Sequence, residues 1–485
     1  MPQHVIRYRT PSVVATTQAI TEPGALVARF DAIRAELDVP GEFPPAVEME
    51  ADAAAARVVL PERDETAVPF LTIDPPGSMD LDQAVHIERD GDGYRVRYAI
   101  ADVPAFVAPG GAIDAEARRR VATIYAPDKR SPLHPPTLSE DAASLLAGQV
   151  RPAFVWDMRL RADGEGTETV VYRARVRSVD RLDYESVQQD IDAGTSDERL
   201  LLLKEVGLRR IELERRRGGA SLPMPEQEVT QDDGGQFILG FRPPLETEDW
   251  NAQISLMTGM AAAQMMIQGG VGILRTMPPP DRGSVARFRR QAKALGIEWP
   301  DGEVYGEFLR RLDRTNPRHL ALVHEATALF RGASYTSFEG EAPDQPLHGA
   351  VAAPYAHVTA PLRRLVDRFG LVVCEALSSG QEVPDWVREA LSTLPDLMRA
   401  GDRKANAVDR ACTDAVEAAV MAPHLGETFT AAVVDHNDKN RTVTVQLTDP
   451  AIVAQAKGPA ELGSQVRVRV SDADVSKGTL DLHVV

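Results

Sequence analysis

At 485 residues and 43% hydrophobic content, the chain is roughly three domains' worth of polypeptide at about 150 residues each, enough to bury several cores. No window approaches the roughly 18 consecutive apolar residues of a membrane span, and the N-terminal MPQHVIRYRT lacks the apolar stretch of a secretion signal, so a cytoplasmic protein with no membrane partner is expected. A formal charge of −18 excludes indiscriminate adhesion to nucleic acid over the whole surface, but leaves room for a basic channel within an acidic exterior.

Residues 1–65 read as a small helical module, with amphipathic segments at 26–37 (LVARFDAIRAEL) and about 45–57, separated by Pro40 and the Pro44-Pro45 pair. A helix-turn-helix-like unit is one form it can take. From AVPFLTI the pattern turns to strands. AVHIERDGDGYRVRYAIADV places an Asp-Gly-Asp-Gly turn between two alternating runs, with Tyr94, Val96, Tyr98 and Ile100 on one face. After about residue 195 the chain becomes helical, with segments near 197–217, 248–268, 284–295, 318–331, 362–379 and 399–421. From Thr428 it alternates in period two again, as a small barrel of OB type would, with acidic and basic residues nearly cancelling. Cys374 and Cys412 have no CxxC partner or neighbouring His at metal-ligand spacing and read as two inert core thiols.

Two stretches carry chemistry. In TIDPPGSMDLDQAV (72–85), Asp74 stands where an apolar strand ends, and Pro75, Pro76 and Gly77 fold the chain back toward Asp80 and Asp82. Taken alone, three Asp residues can be a solvated acidic loop. Carboxylates aimed at one point repel unless a cation neutralises them, and an all-oxygen set suits Mg²⁺. In YAHVTAPLRRLVDRFG (355–370), Thr359 can cap a helix with Pro361, Arg363 and Arg364 in its first turn, leaving backbone N–H groups outward for a phosphate. The local alternative pairs Arg364 with Asp367 on a solvated face. Metal-binding carboxylates beside a phosphate-gripping arginine suggest phosphodiester hydrolysis.

These stretches resemble the RNB domain of the ribonuclease II and ribonuclease R family. TIDPPGSMDLDQAV is similar to its acidic signature, IYAPDKRSPLHPPTLSE (124–140) to its Tyr-x-Pro segment and RLDYESV (181–187) to its Leu-x-Tyr segment. ERRRGGA (214–220) is similar to its Arg-Gly segment, and YAHVTAPLRRLVD to its Tyr-x-His-x-Thr-Ser-Pro-x-Arg-Arg motif. The resemblance implies an α/β (α+β) RNB catalytic core over 66–424, between the helical module and an OB-type RNA-binding barrel over 425–485. It implies processive 3′-to-5′ hydrolysis of single-stranded RNA to nucleoside 5′-monophosphates by a monomer using Mg²⁺, with Mn²⁺ as a substitute. Asp74, Asp80, Asp82 and Gln83 would hold metal, Asp82 nearest the attacking water, with Asp80 and Arg363 also catalytic. Tyr125 would stack on a base toward the far end of the strand, and Tyr184 would sit near the 3′-terminal sugars. Arg217, Gln253, His357, Thr359 and Arg364 complete the expected RNA contacts.

The departures are specific. Gln83 stands where the family usually has a fourth Asp, Asn251 and Gln253 stand around its usual glutamate, and Gly259 stands where Asn is common. An RNB-like RNA-binding or regulatory protein with weakened catalysis is therefore one alternative. A metal phosphoesterase acting on a small nucleotide or DNA is another.

Overall fold

A computed structural model describes residues 23–220, 226–231, 237–242, 244–313, 316–437, 442–447 and 449–485. The acidic stretch belongs to a closed five-stranded barrel that the sequence reading marks only in part. Its strands are Phe70–Asp74, Gln83–Asp90, Gly93–Ala101, Val150–Leu160 and Gly166–Asp183, and the first closes in parallel on the last. The expected hairpin pairs Gln83 with Ile100 through to Asp90 with Gly93, and Tyr94, Val96, Tyr98 and Ile100 all enter one core. Both strand faces are covered. Leu71, Val85, Tyr98 and Trp156 pack toward the helices Glu246–Gly269 and Leu365–Ser378, while Phe70, Ala84, Ala99 and Val155 pack with Val47, Ala51 and Leu362. Each fully buried large side chain here, Trp156 and Tyr98 among them, contributes roughly 1.5–3 kcal/mol.

The two N-terminal helices form, as Pro23–Glu36 and Pro45–Arg57, but they share no core. Leu26, Phe30 and Ile33 of the first pack with Val408, Cys412 and Val416 of the long helix Leu394–Met421, whereas Val47 and Ala51 of the second pack on the barrel. A helix-turn-helix unit needs its two helices packed together, so that form is not taken. What was expected of residues 1–22 lies outside the described residues.

The C-terminal strands Thr428–Asn437, Thr442–Leu447, Val453–Lys457, Gln465–Asp474 and Thr479–Val484 close into a second barrel. Val433, Val445, Val468 and Leu482 share a core with Val416 and Ala419 of the long helix. No helix among the described residues is long and apolar enough to cross a membrane, and both cysteines are free and buried.

Candidate active site

Strand Phe70–Asp74 ends at Asp74, and the chain turns back through Pro75, Pro76 and Gly77, whose φ of +81° disfavours any side chain. Ser144 Oγ pins the returning limb, donating to Met79 O at 2.6 Å and accepting from Leu81 N at 3.0 Å. Leu81 is wholly buried, which fixes the backbone between Asp80 and Asp82. Asp82 is 2% exposed; its Oδ1 accepts from Leu362 N at 2.8 Å and its Oδ2 lies 3.2 Å from Arg363 Nε. Asp80 Oδ1 lies 2.5 Å from Arg130 Nη1, and Arg130 also reaches Glu140 at 2.7 Å. Asp74 Oδ2 is sealed from solvent without a hydrogen-bond partner.

Burial pushes the Asp74 carboxyl up to about 7; the charge of Asp80 acts in the same direction, and Arg363 and Arg181 act against it. Burial likewise holds Asp82 well above the usual carboxylate range, despite Arg363 and the Leu362 N–H, and Asp80 and Asp367 add to the rise. Asp80 is therefore felt by both Asp74 and Asp82. A divalent cation would relieve both the repulsion and the orphaned Asp74 oxygen, and hard carboxylate oxygens are the donors Mg²⁺ takes. Among the described residues no three acidic, histidine or cysteine side chains converge tightly enough to enclose an ion as they stand. The fit is one of donor chemistry and charge, with Asp80 and Asp82 drawn toward Arg130 and Arg363.

The segment bearing Arg363 differs from its expected form. The helix begins at Leu365, with an extended Arg364 at its N-cap, and residues 361–363 are a turn before it. The reason is Asp367, which is fully buried: Ala360 N donates to its Oδ1 at 2.8 Å, and Arg364 grips both oxygens at 2.5 and 2.7 Å. The backbone donors are engaged, Leu362 N by Asp82, Arg363 N and Arg364 N by Ala360 O, and Leu365 N by Val121 O. The backbone donors expected to meet a phosphate are thus taken, and the Arg363 side chain, 49% exposed, is the cationic group of this turn left open. Arg364, expected on RNA, instead holds the turn around Asp367.

His357 and Thr359 support the same turn. His357 Nδ1 lies 2.7 Å from Tyr335 Oη, and burial together with Arg364 and Arg275 pushes the imidazole well below its ordinary range, so it is neutral. Thr359 is buried, and its carbonyl accepts a hydrogen bond from Gln83 Nε2. Thr359, expected on RNA, is thus buried within the turn.

Tyr125 is 37% exposed and pairs across a short ladder with Arg130, the residue bound to Asp80. Tyr184 reaches the site through register: Asp74 pairs with Asp183, and Asp183 Oδ1 caps the helix Tyr184–Ala193 by accepting from Glu185 N and Ser186 N at 3.1 and 2.8 Å. Asn251 Nδ2 donates to Tyr184 Oη at 3.0 Å, and Ser255 Oγ lies 2.8 Å from Tyr98 Oη one turn further along. Gln253, expected on RNA, is buried and donates instead to Glu214 Oε2 at 2.6 Å. Arg217 lies near the same glutamate, with its Nε sealed and unpartnered. At Gly259 a Cβ would meet the Tyr355 ring at 2.2 Å and Ala356 O at 2.6 Å, so the departure from Asn admits the Tyr355 ring and the Ala356 carbonyl. The sequence reading missed Arg130 and Arg181 as parts of the site, and gave Asp367 only as the partner of Arg364 in the local alternative, a pair that does form, though buried rather than solvated. Arg130 and Arg181 each give one signal, a basic residue inside a segment similar to the family's.

An acidic loop closed over by an arginine turn 280 residues further along the chain defines a phosphodiesterase-like site on an RNB core. The RNB domain matches residues 62–375, and the RNase II-type exonuclease C-terminal S1 domain matches residues 427–485. The chain belongs to the RNB domain family. It is 25% identical over 498 residues to Ribonuclease R of Thermotoga maritima, covering 93% of this chain and 69% of that relative. It spans 35% and 53% of the length of two further curated relatives. Its fold matches Mycoplasma genitalium RNase R in complex with ribose methylated single-stranded RNA at a TM-score of 0.85 and 17% identity, over 100% of this chain and 86% of that one. It also matches yeast Ssd1, a pseudonuclease, at a TM-score of 0.67 and 16% identity, over 89% and 56%. Fold alone therefore does not separate a nuclease from a pseudonuclease, and the site has to.

Proposed function

We propose that the protein is a metal-assisted exoribonuclease that degrades single-stranded RNA processively from the 3′ end to nucleoside 5′-monophosphates. One observation carries the reading: Asp82, sealed between the Leu362 N–H and the Arg363 guanidinium, with the charge of Asp80 acting on both it and Asp74. Asp74, Asp80 and Asp82 would hold Mg²⁺, for which Mn²⁺ can substitute; when bound, the cation supplies a more acidic water and stabilises charge on the phosphate. The chain's own residues do the rest. Asp82 orients the attacking water, and the exposed face of Arg363 donates to a non-bridging oxygen of the scissile phosphate, where one preorganised donor is worth about 3 kcal/mol. Water adds to phosphorus as the 3′-oxygen of the preceding nucleotide leaves, which releases a 5′-monophosphate. Tyr184 lies beside the terminal sugar, and Tyr125 offers its exposed ring to a base further along, a contact blind to sequence. Action as a monomer in the cytoplasm completes the reading, and the two free buried thiols suit a reducing compartment.

Incubating 5′-labelled and 3′-labelled RNA homopolymers with Mg²⁺, with Mn²⁺ and with chelator, and resolving products by length, tests it. Mononucleotide released at once from the 3′ label, with the 5′ label surviving in a short end product and no reaction in chelator, is expected. Binding without shortening under every metal condition would return the protein to the regulatory alternative.

A further inference from the structure

Gln83 occupies the position of the family's fourth acid, and the family resemblance casts it as a metal ligand. The geometry points to a different task. Gln83 Nε2 donates to the carbonyl of Thr359. That carbonyl can only accept, so the amide must present its nitrogen there whichever way the group is first drawn. The adjacent Asp82 takes Leu362 N on Oδ1 and faces Arg363 Nε with Oδ2. Two consecutive residues thus make three links to the turn 359–363. Their own backbone is held from behind, because Gln83 pairs with Ile100 in the hairpin and Ala101 N donates to Asp82 O at 2.9 Å.

We propose that Gln83 is a positioning residue: its amide N–H ties the Arg363-bearing turn to the barrel strand and sets where Arg363 stands relative to Asp82. An ionised Asp or Glu cannot make this link, since a carboxylate has only acceptors to offer a carbonyl. The acid set is then Asp74, Asp80 and Asp82, and residue 83 acts through Arg363. This rests on the site being that of a ribonuclease.

Gln83→Glu and Gln83→Met in the full chain separate strut from ligand, because a ligand and a strut respond to Glu with opposite sign. Glu keeps the length and adds charge, so a ligand position would gain metal affinity; Met keeps the volume and loses the donor. For Gln83→Glu at saturating Mg²⁺ and pH 8, kcat is expected to fall on the order of ten-fold or more, as for a misplaced reacting group, with KM for RNA within about two-fold. Its Mn²⁺ affinity, read by electron paramagnetic resonance without RNA, is expected to stay within about two-fold of wild type. Tighter Mn²⁺ binding with undiminished kcat in Gln83→Glu, or wild-type kcat in Gln83→Met, would overturn the proposal. If the wild type degrades no RNA, the ribonuclease reading fails by itself. The strut is still judged by thermal unfolding at pH 8, where both variants should lose a few degrees and unchanged midpoints would sink it.

Discussion

Arg363 Nε stands 3.2 Å from Asp82 Oδ2, yet the arginine side chain is 49% exposed and the aspartate side chain 3%. The pair is asymmetric by construction: a carboxylate fixed by the Leu362 N–H and sealed from water, and a guanidinium with one edge on that carboxylate and another open to a phosphate. A solvated surface pair would be worth little; here the acid's burial makes the arginine's position matter.

Because Asp82 positions water without touching the strand, Asp82→Asn should abolish hydrolysis, by about 10³-fold or more, while RNA affinity changes by less than about three-fold. The amide keeps an oxygen for Leu362 N but turns a donor toward Arg363 Nε, so a small loss of thermal stability with the fold retained is expected. Filter binding and single-turnover cleavage on one RNA check this, and parallel loss of binding and cleavage would remove Asp82 from its role.

Tyr125 is the exposed aromatic beside the acids, and its main-chain pairing with Arg130 is independent of its ring. Tyr125→Ala should therefore leave the acid loop intact, cost roughly 1–3 kcal/mol of strand binding, and lengthen or blur the final oligonucleotide with less effect on the initial rate. An end product of unchanged length, resolved on a sequencing gel, would place the ring elsewhere.

The C-terminal barrel has Phe429 as its sole Phe, Tyr or Trp, and that ring packs edge-on against His424. It therefore offers no free aromatic ring for a base to stack on. Arg467 and Arg469 are exposed on one strand, Gln465–Asp474, with no acidic partner among the described residues. Deleting the barrel would strip the core it shares with Leu394–Met421, so charge removal is the cleaner probe. The Arg467→Gln/Arg469→Gln pair should flatten the slope of log affinity against log salt by about 1.4, at about 0.7 per phosphate contact on a single strand. An unaltered slope would mean that the barrel does not grip RNA there.

The acid loop, the hairpin behind it and most helices are legible because local rules and tertiary packing agree there. The strand Gly166–Asp183 is not, since it puts Arg173, Arg175 and Arg177 at alternating positions; Asp102 and Asp64, distant in sequence, pair with the first two and make it a barrel strand. The turn before Leu365 is hidden for a similar reason. Pro361 reads as the first residue of a helix, and what moves the start is a carboxylate six positions on together with a backbone bond to Val121. The Gln83–Thr359 link joins residues too far apart in sequence for spacing to show.

Glu417 gives a prediction outside the site. It lies wholly inside the junction of the long helix, the hairpin strand Glu226–Gln231 and the C-terminal barrel, where its Oε1 accepts from Gln227 Nε2 at 2.7 Å and from Val453 N at 2.9 Å. Burial pushes its carboxyl up to about 8, with the Gln227 amide and the Val453 N–H pulling the other way. An unfolded glutamate titrates near about 4.3, so between these values the folded chain binds a proton that the unfolded chain has released. Stability from this group is thus full below about 4.3, declines as pH rises, and is lost above about 8. Glu417→Gln keeps an oxygen for both donors and never ionises. Its melting temperature should match wild type at pH 5 and exceed it at pH 9, by the equivalent of roughly 1–3 kcal/mol. Melting curves of the two proteins taken across that range decide it: lines that stay parallel would show that Glu417 is ionised in the fold throughout, and that the junction holds its charge by means other than a proton.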